Sequence, residues 1–179
     1  ISTTYVTVSL HWSSEYMDFL KDNGIITGYS GDLAPDQQVT RAELLKMVME
    51  ANDVNKYAHS YVGYFSDVGK TDWFDSYAEL GYEDGIVAGY SDGTFRPNDP
   101  INRAEAMKII LNGFGVDLEG YDNGTFPDVS SSDWFGSYIG TAYDYGLVSG
   151  YSNGYFYPGN YLTRGEASKI IALAMQGEL

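Results

Sequence analysis

The chain repeats itself. From Phe65 it reads FSDV, then TDWFDSYAELGYEDGIVAGYSDGTFRP and INRAEAMKIILNGFGV; from Phe126 it reads FPDV, SDWFGSYIGTAYDYGLVSGYSNGYFYP and LTRGEASKIIALAM, with Trp73 and Trp134 61 residues apart. A unit this short cannot bury an apolar face alone, so the copies must cover one another. A first copy, carrying Trp12, Tyr16, Gly24, Gly28, Tyr29, Pro35 and Arg41, fits the same frame after one deletion in its loop. It is the most divergent: His11 stands where the others have Asp72 and Asp133, and Thr4 to Thr7 do not reproduce the FxDV opening. The units run 1–58, 59–119 and 120–179, and one pseudo-symmetric domain is the expectation for 179 residues.

Each unit reads as helix, loop, helix. The first helix is expected to start at the N-cap candidates Asp72 and Asp133, to carry Trp73, Tyr77 and Leu80 at helical spacing, and to end at Gly85, as its sisters end at Gly24 and Gly146. Short apolar pairs such as Ile86-Val87 then lead into Gly28-Tyr29, Gly89-Tyr90 and Gly150-Tyr151 and a turn-rich loop. The second helix opens on Thr40-Arg41-Ala42-Glu43, Asn102-Arg103-Ala104-Glu105 and Thr163-Arg164-Gly165-Glu166, each with the pattern of a capping box. Downstream, Leu44, Met47, Val48 and Ala51 stand at i, i+3, i+4 and i+7, as do Ala106, Ile109, Ile110 and Gly113, and Ala167, Ile170, Ile171 and Ala174. These stripes predict a shared core in which the small residues Ala51, Gly113 and Ala174 let three helices approach closely. The fold class is all-α, three helix–loop–helix units in a pseudo-three-fold, three-pronged arrangement around a central three-helix bundle.

Composition removes several functions. Ten Lys and Arg against 25 Asp and Glu leave a net charge of −15, which repels nucleic acid and anionic membrane surfaces. No apolar run approaches a membrane span, and the opening Ile-Ser-Thr-Thr lacks the basic start of a signal peptide, so the chain is read as an excerpt of a longer, processed protein without membrane insertion. With no Cys, thiol catalysis and Cys-based zinc sites are excluded. His11 and His59 occupy unmatched positions, and no Ser-centred elbow or Gly-rich phosphate loop appears. No carboxylate pair is singled out for wall-carbohydrate hydrolysis. No catalytic residue, metal site or cofactor is assigned; loops such as 92–99 are acidic but lack EF-hand spacing.

The repeated residues that the fold does not need are the candidates for binding. Arg41, Arg103 and Arg164 open the second helices, where a cation faces the positive end of the helix dipole. At 100° per residue each borders the apolar stripe, so its guanidinium is expected at a seam between repeats, beside free helix N-terminal amides, as a receptor for a carboxylate or phosphate. The alternative is structural: the arginines pair with Glu43, Glu105 and Glu166 and stitch the repeats together. Lys46, Lys108 and Lys169 point away from the stripe and read as solvated charges. Trp12, Trp73 and Trp134, with Tyr29, Tyr90 and Tyr151, could stack on sugar rings, but aromatics at helical spacing belong more often to a core, which is the expectation for the Trp residues. Gly28, Gly89 and Gly150 either let a ligand approach the backbone or serve the turn alone.

From Trp12 to Met175 these motifs resemble the surface-layer homology (SLH) family: FxDV at Phe65 and Phe126, GYxDGTFxP from Gly89 to Pro97, and the TRAE-type starts at Arg41, Arg103 and Arg164. The resemblance implies a non-covalent anchor on a bacterial cell wall or S-layer, whose inter-repeat grooves hold a peptidoglycan-linked secondary cell wall polysaccharide, often pyruvylated. The TRAE arginine would contact the ligand. The first copy has a shortened loop, Gly31-Asp32-Leu33, and the third has Gly165 and Tyr155 in place of the family's usual Ala and Thr, so the three grooves need not be equivalent. A protein–protein or lattice-assembly module within a larger surface protein is the alternative.

Overall fold

The computed structural model describes residues 10–28, 31–54, 59–121 and 124–178. They form six α-helices, α1 Ser14–Asp22, α2 Arg41–Ala51, α3 Asp75–Glu83, α4 Arg103–Gly113, α5 Gly136–Asp144 and α6 Arg164–Leu173, and a closing wide turn over Ala174–Glu178. The described residues contain no strand longer than isolated bridges, and the fold is all-α. None of these helices is long and apolar enough to cross a membrane.

The starts of α2, α4 and α6 follow local chemistry. Thr40 and Thr163 accept from the Glu43 and Glu166 amides while those glutamates reach back to the cap amides, so both boxes are complete. In α4, Asn102 Oδ1 accepts from the Glu105 amide at 2.8 Å, but the Glu105 carboxylate takes the Tyr90 hydroxyl instead. The first helices of repeats 2 and 3 begin two residues later than expected, with Phe74 and Phe135 at the N-cap. Asp72 and Asp133 do not cap them; their carboxylates turn back to the Gly69 and Ser130 amides, and a turn precedes Asp75 and Gly136. Gly24, Gly85 and Gly146 follow the helix ends at φ 70–76°, as the sequence predicts.

The helix pairs that pack are not the pairs that share a repeat. α3 lies on α2, α5 on α4, and α1 closes the chain onto α6, while α2 meets α4 and α6 in the interior. The second helices are therefore covered from several sides, and Leu45, Met49, Met107, Leu111 and Ala172 are buried beside the predicted stripes. Val39, Ile101 and Leu162, all fully buried, close a ring of three backbone hydrogen bonds: Val39 donates to Leu162, Leu162 to Ile101 and Ile101 to Val39, at 3.0–3.1 Å. Gly113 is where α4 meets α2, since a Cβ there would stand 2.2 Å from Val48 Cγ1. Gly165 replaces Ala in α6 because Ser13 Oγ occupies the place, 2.7 Å from a Cβ built on it.

The FxDV motifs position the loops. Phe65 and Phe126 pack on Phe95 and Phe156 with ring centroids 5.3 Å apart. The Asp67 carboxylate accepts from the Phe95 and Arg96 amides, and Asp128 from those of Phe156 and Tyr157, at 2.7–2.9 Å. Those clamps hold Arg96 and Tyr157 at φ 59° and 55°, a region costly for a side chain with a Cβ. Ala34 takes the sister position at φ 50°.

Candidate functional site

Three grooves lie at the seams, and each is built by all three repeats. In the first, of about 160 Å³, Arg41 comes from repeat 1, Gly89, Tyr90, Glu105 and Lys108 from repeat 2, and Trp134 from repeat 3. In the second, about 180 Å³, Arg103 faces Gly150, Tyr151, Glu166 and Lys169, with Trp12 as the far wall. In the third, about 290 Å³, Arg164 faces Gly28, Glu43 and Lys46, with Trp73 opposite. Tyr29, expected beside Gly28, lies outside the described residues.

The arginines are buried, at 5–6% exposure, and sit at the seams. Each Nε donates to a loop carbonyl of the following repeat: Arg41 to Phe95 at 2.9 Å, Arg103 to Phe156 at 3.0 Å, Arg164 to Leu33 at 3.1 Å. The terminal nitrogens of Arg103 and Arg164 reach the Ser149 and Thr27 carbonyls at 3.3 and 3.4 Å. Across each groove stands a carboxylate, Glu105, Glu166 or Glu43 respectively, at 3.5–3.8 Å, beyond good hydrogen-bond length. The stitching role and the groove position thus coexist in one side chain: Nε ties the repeats, and the outer edge of the guanidinium lines the cavity. Burial pulls Arg103 below the ordinary arginine pKa, opposed by Tyr151 and Glu166; the group stays protonated. Burial and its bond to Glu105 push the Tyr90 phenol up, against the pull of Arg41.

Several expectations need correction. The helix N-terminal amides are not free: Arg41 and Ala42 donate to the Asp99 and Pro97 carbonyls, Arg103 and Ala104 to Asn160 and Pro158, Arg164 and Gly165 to Gln37 and Pro35. These amides are therefore not available as donors to an anion. Trp12, Trp73 and Trp134 are not core; they are 54–56% exposed, because each stands in the turn ahead of its helix rather than on the buried face. Lys46, Lys108 and Lys169 are half-buried groove residues, and the Lys108 ammonium lies 5.8 Å from the Trp134 ring centroid. The signal for the lysines was their recurrence five residues after each Arg. Gly89 and Gly150 are required by the fold itself: a Cβ there would stand 2.4 and 2.8 Å from the Phe65 and Phe126 rings, and at Gly28 2.6 Å from the Asp32 carbonyl oxygen.

The chemistry available is recognition of an anion on an apolar, hydroxylated scaffold. An Arg edge and a Lys supply two positive charges inside an acidic protein, and an exposed indole supplies a face for a ring.

The chain matches the S-layer homology domain over residues 4–45, 64–107 and 125–168. Among its relatives, Exoglucanase XynX of Acetivibrio thermocellus is 31% identical over 95% of this chain and 16% of its own length. The Middle cell wall protein of Brevibacillus brevis is 27% identical over 87% of this chain and 14% of its own, and the Surface-layer 125 kDa protein of Lysinibacillus sphaericus 36% over 52% and 8%. The chain thus spans under a fifth of the length of these proteins. With its three matched repeats, this chain belongs to the S-layer homology domain family, as a cell-wall anchoring module of the bacterial wall or S-layer.

Proposed function

We propose that the three grooves bind anionic groups, pyruvate ketals included, of a peptidoglycan-linked secondary cell wall polysaccharide, holding a larger surface protein by binding without turnover. The observation that carries this is the recurrence, in every groove, of a buried guanidinium edge, a lysine and an exposed tryptophan drawn from three different repeats. Stability needs none of the three indoles to face solvent. A net charge of −15 disfavours attraction of a polyanion by bulk charge, so local pockets must supply the affinity. Three modest sites on one polymer add through effective concentration. Titration calorimetry against purified polysaccharide, with and without its ketal and at two salt concentrations, tests the reading. Roughly micromolar or tighter binding that requires the ketal is expected. Absence of binding to either polymer by folded protein overturns it and leaves lattice assembly as the reading to pursue.

A further inference from the structure

The three grooves differ at one lip. At the position held at positive φ by the loop, repeat 1 has Ala34, repeat 2 has Arg96 and repeat 3 has Tyr157. In repeat 2 the Arg96 guanidinium covers the Tyr90 ring, 3.9 Å from its centroid, and is pinned by Asp92 at 2.9 Å. Tyr90 is thereby closed between Arg41 and Arg96. Among the described residues, no guanidinium covers Tyr151 in the way Arg96 covers Tyr90. Tyr151 is 41% exposed, its edge meets Tyr157 at 5.3 Å, and Tyr157 stacks on Tyr155 at 5.5 Å and 19°. Asn153 donates to the Tyr157 hydroxyl at 2.6 Å and fixes that ring. A line of tyrosines therefore runs from Arg103, 5.1 Å from the Tyr151 centroid, out of the groove to the solvent.

We propose that Tyr151, Tyr157 and Tyr155 form an extended subsite of the Arg103 groove, taking the one or two sugar rings next to the anionic residue of the chain. This rests on the polysaccharide reading above. The occupant follows from continuity and chemistry. The platform begins at the groove wall, carries no charge of its own, and presents ring faces with hydroxyls, which suits the apolar face and polar rim of a pyranose. A polymer entering the groove by its charged group must leave along some lip, and this one is aromatic and open.

The protein has one Trp per groove, so the three indole N–H resonances report the sites separately. The probes are a methyl hexopyranoside bearing a pyruvate ketal and size-fractionated wall polysaccharide of three or more sugars bearing the same group. Lengthening the ligand is expected to tighten binding at Trp12 about tenfold more than at Trp73 or Trp134. Y155T/Y157A, which puts at 157 the uncharged residue that repeat 1 already holds at this φ, is expected to erase that gain and leave monosaccharide affinity unchanged. Tyr155→Thr alone, at an exposed ring, provides a second variant with part of the loss. Equal length gains at all three indoles, or a gain that survives in both variants, overturns the subsite alone. No response of any indole to either probe overturns the polysaccharide reading and the subsite with it.

Discussion

Replacing Arg103 by Lys keeps the charge and removes the fork. In the folded protein Nε–H donates to the Phe156 carbonyl at 3.0 Å and a terminal nitrogen to the Ser149 carbonyl at 3.3 Å, in a side chain 8% exposed. An ammonium on a four-carbon stem can reach one of those carbonyls, not both. A hydrogen bond from a charged donor contributes about 1.5–3 kcal/mol, so one loss in this buried seam costs about 2 kcal/mol. The ion pair to Glu166, at 3.8 Å and partly exposed, adds little. For a domain of this size that lowers Tm by about 4–8 °C, within the margin of a typical domain. The variant therefore stays folded at 20 °C, where binding is read. Affinity at the Trp12 groove should fall about tenfold, since a point charge cannot engage a carboxylate with two parallel N–H groups, while Trp73 and Trp134 keep theirs. Differential scanning calorimetry gives the first number and indole NMR titration the second. If Tm falls as expected but the Trp12 groove binds as before, Arg103 is a stitch between repeats and not a ligand contact. An unchanged Tm would show that the two carbonyl bonds are worth far less than reckoned.

Four further outcomes follow from the same geometry. Glu79, fully buried, accepts from the Val62, Gly63 and Tyr64 amides at 2.8–3.1 Å, so Glu79→Ala should lower stability in guanidinium chloride by about 3 kcal/mol; a loss under about 1 kcal/mol would contradict this. Gly113→Ala drives a methyl into Val48 and should cost about 1–3 kcal/mol despite alanine's better helix propensity, with Val48→Ala relieving it in the double variant. Trp134→Ala, at an exposed indole, should change Tm little yet weaken the Arg41 groove selectively. The Asp92 carboxyl, held at about 2 by the Thr94 hydroxyl and then Arg96, has a depressed folded pKa, so its tie is intact above pH 3.8 and is lost as pH falls through about 2; a carboxyl NMR titration with a midpoint near 4 would refute it.

Local chemistry was legible wherever a backbone signal and its partner lie within a turn. The Thr40 and Thr163 boxes and the glycines after α1, α3 and α5 came out as expected because cap and amide are three residues apart. Asp72 and Asp133 misled for an equally local reason: the same carboxylate can turn back to the amide three residues earlier, and does. Asp67 and Asp128 went unread as loop clamps, although their place in FxDV marked them, because the amides they hold lie 28 and 29 residues away.

The amino-acid order alone determined the repeat, its period, the all-α class, the family resemblance and the arginines as candidates, since periodicity and caps are properties of neighbouring residues. It also showed which face of each second helix is apolar. Only the tertiary structure decided which repeat covers that face. α1 reaches α6 rather than α2, and a groove takes its Arg, its Glu and Lys, and its Trp from three different repeats. A helical period specifies direction around an axis, and three near-identical units offer near-identical partners. The pairing is settled by long-range contacts such as the Val39, Ile101 and Leu162 ring, and the place of each lysine and each tryptophan in a groove with another repeat's arginine follows from it.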